Sequence, residues 1–248
     1  MKETRFIMGM PVIVEIRDDS VNENIISRVF DLFNYVDEKF STYKPESEIN
    51  KINNGEILIE NASKDMKEIF KLSEKTKKET DGYFDIVNED GKYNPSGIVK
   101  GWAILNASKL ILEAGFSNFY VKAGGDIQVN GFADTNKGWK VGIRSPFNVK
   151  EIIKMVYLRN SEGIATSGSY ERGSHVYNPK NKLDSLSEIV SITVIGPNIY
   201  EADRFATAAY AMQNKGIYFI EKLKGFEAYM IDKNGTATMT TGFENYLK

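Results

Sequence analysis

Between residues 11 and 17 the chain reads PVIVEIR, with Val12, Val14 and Ile16 at alternate positions, the period of a β-strand with one buried face. The period changes over residues 22–40. There Ile25, Ile26, Val29, Phe30, Phe33, Val36 and Phe40 recur at helical spacing and predict an amphipathic helix. A polar turn and a short helix ending before Gly55 follow. ILIE at 57–60 predicts a short strand. Ser63 is placed to cap a helix whose apolar positions are Met66, Ile69, Phe70 and Leu72.

The second half mixes the two periods. Residues 96–115 predict a helix stopped by Gly115. FYVKAGGDIQVNG at 119–131 reads as two strands around a glycine turn, and WKVGIRSP and IIKMVYLR each read as a strand. Residues 163–179 predict a strand, a loop and another strand, 188–196 a buried strand, and 200–212 a helix rich in alanine. NKLDSLSE at 181–188 is plainly loop-like. Helices and strands do not alternate strictly, which favours an α+β fold over a doubly wound sheet. No repeat or linker divides the chain, so residues 1–248 are expected to form a single domain.

Composition narrows the chemistry. The 248 residues are 42% hydrophobic and 27% charged, with a net charge of −2, so no basic excess marks a nucleic-acid binder. KLSEKTKKET at 71–80 is locally basic but carries acids too, as a solvated helix face would. Cysteine is absent, which excludes disulfides, thiolate catalysis and cysteine-held metals. The single histidine, His175, excludes a multi-histidine metal site. Any metal must therefore be held by oxygen, which favours a hard cation such as Mg²⁺, with Mn²⁺ the alternative. The N-terminal stretch lacks the apolar run of a signal peptide, and no segment approaches membrane-spanning length. The expected location is the cytoplasm, or an exported or lipid-anchored origin if a leader once preceded the chain.

Five stretches could carry chemistry. In YEADRFATAAYAM, Asp203 and Thr207 are four residues apart and share a helix face beside an alanine stripe. They fit a partly exposed helix with an acid in its first turn, or two oxygen ligands of a divalent cation. AGGDI at 123–127 fits a tight turn, or a close backbone approach to a phosphate with Asp126 fixing a hydroxyl. SGIVKG at 96–101 opens a helix, where free N–H groups and Lys100 could meet a phosphate, although the spacing is not that of a P-loop. ATSGSYERG at 165–173 concentrates hydroxyls. His175 is the side chain best suited to proton transfer near neutral pH. Taken alone, each of the five is more often structural.

Their collinear order carries more. MGM (8–10), FSTYKPESEINKIN (40–53), GYFDI (82–86), SGIVKGWA (96–103), AGGDIQVNG (123–131), WKVGIRSP (139–146), GIATSGSYER (163–172), HVYNP (175–179), SITVIG (191–196) and EADRFATAAYAM (201–212) together resemble the ApbE family, the FAD:protein FMN transferases. The resemblance implies an α+β fold of mixed and antiparallel sheets, with packed helices and an FAD-binding cleft. It implies transfer of FMN from FAD, the substrate, to a threonine or serine hydroxyl of an acceptor protein, with Mg²⁺ at the diphosphate and AMP leaving. The implied metal ligands are Asp203, Thr207 and the backbone carbonyl of Val99. The implied flavin contacts are Met8, Tyr43, Tyr83, Phe84, Asp85, Lys100, His175 and Val176. His175 is then the candidate base, and Asp203 the acid whose loss abolishes transfer. The chain departs from the family's pattern at Asn178, Lys182 and Leu105, and in the short stretch between FDI and the lysine. These departures leave two alternatives: an FAD-hydrolysing enzyme, and a non-enzymatic FAD carrier or regulator.

Overall fold

The computed structural model describes residues 1–19, 21, 23–134, 138–148, 150–168, 178–181 and 186–247. Ten strands are formed: β1 (Lys2–Ile7), β2 (Met10–Ile16), β3 (Phe119–Ala123), β4 (Asp126–Asn130), β5 (Trp139–Arg144), β6 (Ile152–Leu158), β7 (Gly163–Gly168), β8 (Ile189–Gly196), β9 (Glu227–Asp232) and β10 (Ala237–Met239). Eight of them make one sheet in the order β1-β2-β3-β4-β7-β8-β9-β10, each neighbouring pair antiparallel. β5 and β6 pair with each other in a separate ribbon, inserted in sequence between β4 and β7. The helices are α1 (Glu23–Phe40), α2 (Glu48–Asn53), α3 (Lys64–Glu79), α4 (Ser96–Glu113), α5 (Ile199–Ala211) and α6 (Gly216–Glu221).

The sheet's pleat sorts its side chains onto two faces. Val12, Val14 and Ile16 of β2 stand opposite Ala123, Val121 and Phe119 of β3, and all six point toward the helices. All seven apolar positions of the predicted α1 stripe are buried against that face, in a core shared with α4 and α5. Ile127, Val129, Ile164, Ile195, Tyr229 and Ile231 occupy the opposite face. With Trp139, Ile143, Val156 and Leu158 of the β5–β6 ribbon and Phe243 they form a second core. The sheet is therefore covered on both sides, by helices on one and by the ribbon on the other.

One expected strand is absent, and one strand was not expected, each for a physical reason. Residues 57–60 form no strand; Ile59–Asn61 make one turn of 3₁₀ helix. Ile57 and Ile59 pack against the core from a turn, and Leu58 points to solvent. β1 escapes the pattern because only Ile7 of its six residues is buried; it is a charged edge strand recruited by β2. The caps at Ser63 and Gly115 form as expected, Ser63 Oγ accepting from the N–H of Met66 and Gly115 taking φ +91°. The second strand expected near His175 and half of the 181–188 loop, residues 182–185, lie outside the described residues.

Candidate active site

Asp203 is not at the exposed margin of its helix but buried, at 3% exposure, in the contact between α5 and α4. Two glycines make that contact. At Gly101 a Cβ would lie 2.8 Å from Asp203 Cβ and 3.0 Å from the carbonyl oxygen of Ile199, so the position admits no side chain. At Gly97, one turn earlier, a Cβ would lie 3.2 Å from Thr207 Cγ2 and 3.7 Å from its hydroxyl, and 3.2 Å from the ring of Phe84. An i,i+4 pair of glycines on α4 thus faces an i,i+4 pair of acid and alcohol on α5. This register brings α5 close enough for the N–H of Gly101 to donate to Asp203 Oδ2 over 2.8 Å.

The start of α5 is fixed from the sheet. Asn198 caps it, accepting from the N–H of Glu201 at 3.0 Å. Buried Gln128 of β4 accepts the N–H of Ile199 at 2.7 Å and donates to the carbonyls of Val129 and Ser161 at 2.9 and 2.6 Å. Arg204 fixes the other side. Its buried guanidinium donates to Thr76 Oγ1 at 3.3 Å, pairs with Glu79 of α3 and with Glu201, and lies over the ring of Phe205.

Lys100 and Asp126 complete the charged cluster. The Lys100 ammonium lies 2.6 Å from Asp126 Oδ2 and 3.6 Å from Asp203 Oδ1. Asp126 is fully buried at the start of β4, and its Oδ1 accepts the N–H of Thr166 at 3.2 Å. The bland reading of AGGDI as a turn is thus incomplete, since its acid reaches across to α4. Lys100 is engaged by the two acids rather than held out toward a phosphate. Among the described residues, two carboxylates share the one Lys100 ammonium. Burial pushes the Asp203 carboxyl up to about 7; Lys100 opposes this, Asp126 adds to it, and the Gly101 N–H opposes it.

The donor chemistry fits a hard cation. Asp203 Oδ2 is engaged by Gly101, and Oδ1 lies 3.6 Å from the Lys100 ammonium; the Thr207 hydroxyl lies beside Gly97; and Val99 is buried in the first turn of α4, between the two glycines. The donors of this set are all oxygens, as the absence of cysteine requires.

The other named residues divide. Phe84 is buried against Gly97, beside Thr207. Met8 stands at the β1–β2 turn with φ +56°, partly buried against the helix-side core. The Tyr83 ring lies 4.9 Å from the Lys180 ammonium. Asp85 is held by Lys77 at 2.7 Å and accepts from the N–H of Val87. Tyr43 is 85% exposed on the loop before α2. His175 and Val176 lie outside the described residues. Sequence reasoning missed Gln128, Arg204 and the role of Gly97 and Gly101. The repeat of glycine at i,i+4 in SGIVKG, matching the spacing of Asp203 and Thr207, was the available signal.

The fold and this cluster define an α+β protein with an antiparallel sheet and a buried Lys100–Asp126–Asp203 charge cluster where α4 and α5 meet the start of β4. The ApbE family model matches residues 8–90 and 87–230, and the chain belongs to the ApbE family. A FAD:protein FMN transferase of Klebsiella pneumoniae (strain 342) is 29% identical over 153 residues, 58% of this chain and 44% of that protein. The chain thus matches less than half the length of that relative. Among solved structures, the flavin transferase ApbE from Vibrio cholerae has a TM-score of 0.84 at 18% identity, covering 100% of this chain and 99% of that one. The ApbE protein from Thermotoga maritima reaches 0.88 at 19%, with the same coverage.

Proposed function

We propose that this protein transfers FMN from FAD to a threonine or serine hydroxyl of an acceptor protein, releasing AMP. The observation that carries the proposal is the pair of buried Asp203 and half-buried Thr207, set against Gly97 and Gly101. Family membership and the name of the Klebsiella relative support it. Asp203 Oδ1, the Thr207 hydroxyl and the Val99 carbonyl would hold Mg²⁺. When bound there, the cation supplies charge stabilisation at a diphosphate under attack.

The chain's own residues do the rest. Gly101 fixes one oxygen of Asp203, leaving the other directed to the site. Asp126 anchors Lys100 beside Asp203, so the ammonium favours the ionised form of that acid. Buried Phe84 and half-buried Tyr83 and Met8 offer apolar surface to the flavin. His175 is the candidate base. It would take the proton of the acceptor hydroxyl as the new phosphorus–oxygen bond forms and the bond between the two phosphates breaks, AMP taking the leaving oxygen; general-base help is worth roughly 10²–10⁴ in rate.

The test is incubation with FAD, Mg²⁺ and an acceptor protein bearing a candidate threonine, followed by mass spectrometry. An acceptor heavier by one FMN, with AMP formed in equal amount, supports the reading. AMP and FMN released with no change in the acceptor favours hydrolysis, and bound FAD with no turnover favours a carrier.

A further inference from the structure

On the sheet face away from the helices lies a half-open cavity of about 840 Å³, bounded by β1 to β4, β7 and the β5–β6 ribbon. Among the described residues, none of those assigned above to flavin or cation lines it. Every charged side chain among its described lining residues is cationic: Lys2, Lys122, Lys140 and Arg144. Lys2 is partly balanced by Glu15 at 3.1 Å, whereas Lys140 and Arg144 are exposed. All six residues of β5 line the cavity in succession, and none of β6 does. Successive residues of a strand point to opposite faces, so an uninterrupted run is the signature of a strand edge rather than of a strand face. Among the described residues β5 pairs only with β6, which leaves that edge open to another strand.

One end of the cavity adjoins Asp126 through the backbone. Gly124, Gly125 and Thr166 line it; Asp126 follows Gly125 directly, and the N–H of Thr166 is bound to Asp126. Resting on the transferase reading above, we propose that this groove docks the acceptor. An extended, acidic segment of the acceptor protein adds as a strand along β5, its carboxylates meeting Lys140 and Arg144, and its hydroxyl-bearing residue emerges at the Gly124–Gly125 end beside the Lys100–Asp126–Asp203 cluster. Main-chain hydrogen bonds to an open edge give such a segment its affinity with little demand on sequence, and the cations give it sign. A small anion would use the cations but leave the edge unused.

The experiment uses the whole chain loaded with FAD, and two labelled threonine peptides, one flanked by aspartates and one by lysines, followed by fluorescence anisotropy. The aspartate peptide is expected to bind, the lysine peptide not, and binding to weaken as salt is raised. Lys140→Glu with Arg144→Glu is expected to weaken the aspartate peptide about tenfold, two exposed ion pairs becoming repulsions, while FAD affinity, read by flavin fluorescence, stays at the wild-type value. Equal binding of both peptides, binding indifferent to the double substitution, or displacement of the peptide by AMP overturns the docking groove. A fall in FAD affinity in the double variant also overturns it, since the cavity then belongs to the flavin site. Flavin transfer to an acceptor separates the two readings. If transfer runs with an unchanged KM for the acceptor in the double variant, the groove fails and the transferase stands. If the aspartate peptide binds as described but no acceptor is ever modified, the groove stands and the transferase fails.

Discussion

Gly101 donates its backbone N–H to Asp203 over 2.8 Å, a bond that joins α4 to α5 and selects which carboxylate oxygen faces the site. It exists only because residue 101 has no side chain. In Gly101→Ala the new methyl would sit 2.8 Å from Asp203 Cβ and 3.0 Å from the Ile199 carbonyl. The nearest atoms are backbone or lie next to it, so the helices must part. Overpacking of this kind costs typically 1–3 kcal/mol, on the order of a few degrees to ten in Tm. Urea unfolding should show that loss, and a calorimetric Mg²⁺ titration should show weaker binding. A wild-type midpoint with unchanged Mg²⁺ affinity would mean that the two helices are not in close register.

Asp203→Asn separates charge from shape. The amide keeps the size of the carboxylate and an oxygen for the Gly101 N–H, while Lys100 remains paired with Asp126 at 2.6 Å. The fold should survive, as judged by circular dichroism and an unchanged urea midpoint or a higher one. Flavin transfer should fall by about 10²–10³-fold in kcat, the usual effect of removing one preorganised electrostatic contact. Transfer at the wild-type rate would exclude Asp203 from the site's chemistry.

The acid limb of stability is set elsewhere, by Glu48. Burial pushes its carboxyl up, but the N–H of Ser63 at 2.6 Å, the Ser63 hydroxyl at 2.7 Å and Lys39 at 3.0 Å together outweigh burial and hold it below 4.5. A lowered native value means that the unfolded chain takes up the proton first. The contribution is therefore complete above about pH 4.5 and is lost as pH falls through the lower native value. Asp18, held below 3.8 by Asn118 and Ser117 against its burial, has the same sign. Thermal melts across this range should show Tm falling below pH 4.5 in the wild type. Glu48→Gln should be less stable at neutral pH by about 1–2 kcal/mol, with a lower Tm and a shallower acid limb. A variant whose acid limb keeps the wild-type slope would exclude Glu48 as a source of it.

Elements that bury a regular stripe were legible in the sequence. The seven apolar positions of α1 and the alternation of β2 were read before the structure, and all of them are buried. Elements held by partners were not. β1 buries only Ile7 and exists through its register with β2; ILIE has the apolar content of a strand but no neighbour to pair with. The same division holds within the site. Asp203 and Thr207 could be grouped because helical spacing is a local property. The burial of Asp203 and the packing of Thr207 could not, because they depend on two glycines about a hundred residues earlier, the Gly101–Asp203 bond spanning 102 positions. Gln128 and Arg204 reach partners 71 and 128 positions away, and no local pattern distinguishes them from surface residues.

Arg204, the residue after Asp203, tests whether support and chemistry can be separated on one helix. Its side chain, 3% exposed, ties α5 to α3 through Glu79 and Thr76, and its guanidinium lies 3.9 Å from the centroid of the Phe205 ring. Removing one partner of a fully buried ion pair costs about 3–5 kcal/mol. Here the Glu79 and Glu201 side chains remain 39% and 20% exposed, so water can take over part of their solvation and the cost should fall to about 2 kcal/mol. Arg204→Lys should recover little of this, since an ammonium can neither span both acids as a fork nor stack on the ring. Asp203 is held independently, by Gly101 and through Gln128 at the helix start, so transfer at saturating FAD and Mg²⁺ should stay within a few-fold of wild type below the melting range. Urea unfolding paired with the mass-based transfer assay on Arg204→Lys and Arg204→Met decides it. Stability lost with kcat retained marks Arg204 as a support for the helix. A collapse of kcat in a variant that is still folded would place it in the reaction itself.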